Sequence, residues 1–351
     1  MKIKNPYIEN LKKDDVSFYA HPIKYKLKDY ERVLDKIRRK AEKTREILSI
    51  YTFGHVSVPG ISDIDLIFVL KEGSRLPSFL RSNYIDKDSS YLVFHPFFII
   101  TEDIMKNMRY IYPNSHFVKI YGKEIAIRTP SKPELKKIKT CLTADVILRH
   151  FPVDYLYILL SKRLNVRMVL VRLNALSHSF NIFNEIAGFK KPAWENFSGR
   201  VDNIRKNWFR LDEKQREGEL FDLLKEAIYV SMDLVMEFNS FLSKDKSSII
   251  HAKNQKALFK GNKNRISFVK DWKKERALNQ MISHFVKYKN FYSILPISLL
   301  KQLCCYSGAD GRLSMYIKKK LSIECLQEHA DPVTKKRIQI LYSCFIIIIN
   351  Y

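Results

Sequence analysis

The stretch that most constrains this chain is residues 47–70, ILSIYTFGHVSVPGISDIDLIFVL. Residues 47–53 read as a strand that ends on Gly54. A second strand begins near Ser62 and runs into Leu66-Ile67-Phe68-Val69-Leu70. An apolar run of that kind predicts a strand buried on both sides. Asp63 and Asp65 stand at its mouth. Carboxylates at i and i+2 on a strand point to the same face. Side by side there they repel, and each is costly to desolvate alone. A divalent cation between them offsets both penalties. The plain alternative is that Asp63 closes a turn while Asp65 caps or pairs with a nearby lysine.

Gly54 and the loop after it add weight to the acidic pair. Phe53-Gly54-His55, the loop 56–62 and Asp63-Ile64-Asp65-Leu66 together resemble the signature of the polymerase-beta-like nucleotidyltransferase superfamily. That signature is an apolar strand ending in Gly-Ser or Gly-Gly, a short loop, then Asp-x-Asp entering a second strand. The loop here is on the short side, and His55 stands where a small residue is usual. Tyr121-Gly122-Lys123 resembles the closing segment of small-molecule nucleotidyltransferase domains.

The resemblance implies an Mg²⁺-dependent enzyme that moves a nucleoside monophosphate from an NTP to a hydroxyl on a small molecule, a protein or RNA. Mg²⁺ takes one or two carboxylates together with substrate phosphates, a role that falls to Asp63 and Asp65. Gly54 would let the backbone approach the triphosphate, where a side chain would block it. His55 would donate to a phosphate, with Ser57 and Ser62 as alternative donors. A third carboxylate is expected from the next strand, read at residues 91–100, but that stretch carries His95 and Pro96 instead. His95 is then the candidate base, or else a structural residue beside a strand-edge proline. Glu102 and Asp103, just past that strand, are further candidates.

At 351 residues the chain has room for two domains. Thr129-Pro130-Ser131-Lys132-Pro133 breaks regular structure and marks a boundary. The expected fold is α+β: a nucleotidyltransferase-like mixed sheet with helices over residues 1–133, then a mainly helical region over 134–351. In the first part, 29–46 reads as a basic amphipathic helix carrying Tyr30, Val33, Leu34, Ile37 and Ala41 on one face. Residues 115–127 read as a strand pair turning at Gly122. In the second part, 153–187 predicts one long helix or two shorter ones. Residues 220–242 predict another, with Leu224, Ile228, Met232 and Met236 as a core stripe. Residues 243–264 read as a loop, and 297–303 and 313–326 as further helices.

The net charge of +25 favours a polyanionic partner: RNA, DNA, a nucleotide or an anionic membrane surface. The plain alternative is solvated basic faces. Basic clusters at 132–139, 270–276, 318–320 and 335–337 could line an acceptor cleft, with Trp272 placed to stack on a base. Trp194 and Trp208 read as core. The five cysteines show no metal-ligand spacing and fit free thiols in a reducing cytoplasm. The first residues are too polar for a secretory leader, and charges interrupt the most apolar segment, so neither export nor a membrane span is expected. Two other readings stay open: a catalytically inactive nucleotidyltransferase-like module that binds nucleotide, and a basic nucleic-acid-binding or interaction protein.

Overall fold

A computed structural model describes residues 6–244, apart from 75–76, 82–85, 95–96, 111 and 150–152. In chain order, α1 (Pro6–Asn10) and β1 (Ser17–Tyr19) precede α2 (Leu27–Glu42), which feeds β2 (Ile47–Phe53) and then β3 (Asp65–Leu70). Next come α3 (Ser78–Arg81), α4 (Lys87–Leu92), β4 (Phe98–Thr101), α5 (Glu102–Lys106) and β5 (Phe117–Gly122). The rest is helical except for one short strand: α6 (Lys132–Arg149), α7 (Val153–Leu160), β6 (Arg163–Asn165), α8 (Val166–Ala187), α9 (Pro192–Asn207) and α10 (Glu213–Lys244). The architecture is α+β.

The larger sheet has the order β4-β3-β2-β5. β2 is antiparallel to both β3 and β5, whereas β4 lies parallel to β3. β3 is therefore internal, and both of its faces are covered, as its apolar run requires. Leu66, Phe68 and Leu70 pack on the face roofed by α2. Ile67 and Val69 pack on the other face, against Met105 of α5 and Ile138 of α6.

α2 buries Tyr30, Val33, Ile37 and Ala41, the stripe its three-and-four spacing predicts. It starts where the Asp29 carboxylate accepts from the Lys26 amide at 2.8 Å. It stops at Glu42, short of the expected end. There the Thr44 hydroxyl bonds back to the Lys40 carbonyl at 2.8 Å, and the chain turns into β2.

Two strand expectations need correction. Residues 91–100 do not form one strand: Tyr91 and Leu92 end α4, and β4 begins only at Phe98. The cause is local, because the Asp86 carboxylate caps α4 by accepting from the Ser89 amide at 2.8 Å. Residues 115–127 hold a single strand rather than a pair. After Gly122 the chain is tied down by Tyr51, whose hydroxyl accepts from the Ile125 amide at 2.8 Å and donates to the Lys123 carbonyl at 3.3 Å.

The helical half closes on its own core. Trp194 and Trp208 are 1% and 0% exposed, and Trp194 stacks on Phe180 at 4.8 Å between ring centroids. Leu224, Ile228 and Met232 of α10 are buried in the same core, whereas Met236, the last of the expected stripe, is half-buried and stands outside it. The apolar segment 153–187 becomes two helices split by β6, which pairs in parallel with β1. Ile8, Leu11 and Val16 from the N-terminal arm, and Val58 and Ile61 from the β2–β3 loop, also enter this core. The loop is thus held between the two halves. Among the described residues no helix is long and apolar enough to cross a membrane. The expected helices at 297–303 and 313–326, Trp272 and the basic clusters beyond residue 244 lie outside the described residues. So do Cys304, Cys305, Cys325 and Cys344.

Candidate functional site

β2 ends at Phe53, and the chain turns at Gly54 with φ of +83°, a conformation that L side chains rarely adopt. Phe53 pairs with Asp65 across the ladder. A Cβ built on Gly54 would sit 3.6 Å from Asp65 Oδ2, so the turn sets bare backbone beside the carboxylate. Asp65 is the first residue of β3, and Asp63 lies in the loop before it. Strand alternation therefore does not align the two acids; the loop that carries Asp63 does.

That loop is fixed from three directions. From α2, the Tyr30 hydroxyl donates to the Ser62 carbonyl at 2.6 Å and accepts from the Gly60 amide at 2.9 Å. From α4, the Tyr91 hydroxyl donates to the Gly60 carbonyl at 2.7 Å and accepts from the Ile23 amide at 2.8 Å. From α8, the Arg167 guanidinium donates to the carbonyls of Ile61 (3.2 Å), Ser62 (3.4 Å) and Tyr91. It also lies 3.9 Å above the Tyr91 ring. Within the loop, Ser62 Oγ accepts from the Val58 amide at 3.1 Å and contacts Ser57 Oγ at 3.3 Å.

Gly60 is the tightest point. Its φ is +90°, and an added Cβ would fall 2.1 Å from the Ile23 carbonyl oxygen. Gly60→Ala is therefore expected to destabilise the fold by about 3 kcal/mol through strained backbone and forced displacement of the Ile23 segment. Urea denaturation of the variant beside the parent measures it; an unchanged midpoint would show that the loop relaxes freely.

The electrostatics set the pair apart. Burial, reinforced by the charge of Asp63, raises the Asp65 pKa to about 7. Oδ2 of Asp63 is buried. Arg205, on α9 and only 5% exposed, reaches the rim with Nη2 3.5 Å from Ser57 Oγ. Burial pulls its pKa down, and the nearby charges of Asp202 and Asp63 partly oppose that. His178 of α8 is held below its ordinary pKa by burial and by the Arg205 charge.

The residues named from sequence are dispersed by the fold as follows. Gly54, Asp63 and Asp65 come together. His55 and Ser57 are exposed next to them, with Ser57 Oγ in contact with Ser62 Oγ and Arg205. Ser62 is 6% exposed and already engaged inside the loop, so it braces the loop rather than facing a phosphate. His95 lies outside the described residues. Glu102 and Asp103 are at the wrong end of the sheet: parallel pairing sets Thr101 beside Leu70, about 16 Å of strand away from Asp65. There Glu102 pairs with Lys123 at 3.1 Å and Lys106 at 3.3 Å, and Asp103 with Lys106 at 3.1 Å. Among the described residues, no third histidine, cysteine or acid joins Asp63 and Asp65 within metal-ligand reach.

Arg167 and Arg205 were not among the candidates read from sequence. The available signal was a lone arginine inside an apolar helical run, as in Val166-Arg167-Met168-Val169-Leu170. Such a residue is buried only when something across the fold takes its charge or its donors. No protein-family model, curated protein or solved structure matches this chain.

Proposed function

We propose that the Gly54–Asp65 loop is a nucleotide site dependent on a divalent cation, and that the chain is a nucleotidyltransferase acting on a hydroxyl acceptor. The observation that carries the reading is the left-handed Gly54 turn beside the Asp65 carboxylate, where an added Cβ would fall 3.6 Å from Oδ2, with Asp63 in the loop just before β3. A donor set of two carboxylates beside an open backbone turn fits Mg²⁺, which prefers one or two acids and leaves its remaining positions to phosphates and water. When bound, that ion supplies positive charge that polarises phosphoryl and hydroxyl oxygens.

The protein's own residues do the positioning. The bare Gly54 backbone leaves room for a phosphate chain, and exposed His55 and Ser57 offer donors to its oxygens. Transfer joins the acceptor oxygen to the α-phosphorus, breaks the α–β phosphoanhydride bond and releases pyrophosphate. His95 is the proposed base for the acceptor proton. A second reading, nucleotide binding without turnover, is favoured by one observation: only two acids converge among the described residues.

Pyrophosphate release from each NTP in the presence of Mg²⁺, across small-molecule, protein and RNA acceptors, separates the two. The enzyme reading expects release that Asp63→Asn lowers by at least 10²-fold, as loss of a charge-stabilising group does. The binding reading expects no release, but Mg²⁺-dependent NTP binding that the same substitution removes. Neither activity in the parent chain would overturn both.

A further inference from the structure

We propose that His21, Glu213 and Glu217 form a divalent-metal site of the zinc class, separate from Asp63 and Asp65, that clamps the N-terminal arm to the start of α10. One ligand atom from each of the three lies within 4.8 Å of the others, and no other such group occurs among the described residues. Glu213 and Glu217 stand one helical turn apart on α10, which puts both carboxylates on one face. His21 arrives from a segment fixed on both sides. The Arg167 amide donates to the Ala20 carbonyl at 3.3 Å, and the Ile23 amide donates to Tyr91 Oη at 2.8 Å.

The histidine faces the helix through one ring nitrogen. Its Nδ1 is buried and has no hydrogen-bond partner, while Nε2 lies 3.7 Å from Glu217 Oε1. The ring nitrogen that faces Glu217 is the one placed to take a cation, and the half-buried ring holds it there. One imidazole and two carboxylates are a donor set that zinc and its first-row neighbours accept. Tetrahedral Zn²⁺ with ligands at ~2.0–2.2 Å holds its donors roughly 3.3–3.5 Å apart. Exposed Glu213 closes that gap by a side-chain rotation. Lys13 lies 3.3 Å from Glu217 and supplies a countercharge; its side chain is 29% exposed and can swing into water when a cation takes its place. The site therefore takes a cation without moving backbone. It bears on the loop described above, because the clamped segment leads into Ile23, whose carbonyl oxygen abuts Gly60.

The test is zinc uptake by the chelator-stripped full chain, followed by calorimetry and thermal unfolding. Excess Zn²⁺ is expected to raise Tm by about 5 °C. One bound equivalent should disappear in His21→Ala and in Glu217→Gln, and persist in Asp63→Asn. Co²⁺ in place of zinc should give visible d–d absorption that the first two substitutions abolish. A parent chain that takes up no zinc overturns the proposal, as does equal uptake by the parent and both clamp variants. Should His21→Ala fail to fold, Glu213→Gln carries the test: affinity weakened tenfold or more supports the site, and unchanged affinity overturns it.

Discussion

Arg167→Ala is expected to destabilise the chain by about 3–5 kcal/mol, the range for stripping the partner from buried polar groups. The guanidinium is 5% exposed and donates to the carbonyls of Ile61, Ser62 and Tyr91 at once. Truncation takes the side-chain donor from the Ile61 and Tyr91 carbonyls, leaves Ser62 only its bond from Tyr30, and removes the planar group from the Tyr91 ring. Lysine should recover little, because an ammonium on a single stem cannot reproduce a planar fork that spans separate carbonyls. Urea denaturation monitored by tryptophan fluorescence reads the loss, since Trp194 and Trp208 are both buried in the core that α8 shares. A loss below about 1 kcal/mol, the scale of an exposed interaction, would mean that Arg167 is not the tie between the helical half and the loop. Arg167→Lys at parental stability would show that charge, not geometry, matters there.

The same residue shows what was legible in the sequence. β2 falls at Ile47–Phe53, as its apolar pattern predicts, and β3 is buried on both faces as an unbroken apolar run requires. The buried stripe of α2 follows from its spacing alone. These are local signals, written within a turn or a strand. The loop is different. Its shape depends on Arg167, more than a hundred positions downstream of Ile61, and on hydroxyls from α2 and α4. Nothing within the loop's own residues names those partners.

Where local chemistry overrode pattern, the reading of 91–100 failed. Its apolar residues look like one strand, yet Asp86 and Ser89 start a helix that runs through Leu92. The acidic pair was legible as a pair but not as a geometry. Period-two alternation aligned Asp63 with Asp65, whereas the ladder begins only at Asp65. What joins them is a loop braced by Tyr30, Tyr91 and Arg167. Substitutions in those braces should therefore weaken the site without touching either acid.

Asp65→Asn should move stability and ligand binding in opposite directions. Burial first, and then the charge of Asp63, raise the Asp65 pKa to about 7, against an ordinary value of 3.8. Between those values the folded chain keeps a proton that the unfolded chain has released. The folded state is thus favoured at low pH and loses that advantage as pH rises towards 7. Above about pH 7 the buried charge carries its full penalty, on the order of 2–4 kcal/mol at about 1.4 kcal/mol per pKa unit. Asparagine has the shape of the protonated acid and cannot ionise. Its stability gain over the parent should be near zero at pH 4 and reach about 2–4 kcal/mol at pH 8. A divalent cation should narrow that gap, because it stabilises the parent only. At a concentration ten times Kd, Mg²⁺ adds about 1.4 kcal/mol to the parent at pH 8. It adds progressively less below pH 7, where the proton competes for Asp65. Denaturation midpoints of both chains from pH 4 to pH 8, with and without Mg²⁺, provide the measurement. A constant difference between the two across that range would remove Asp65 as the titrating group. A Mg²⁺ response shared by both would place the cation elsewhere. The expected pattern is that of a pair destabilised by its own charge until a cation neutralises it, which is what the proposed ligand site requires and a purely structural acid pair does not.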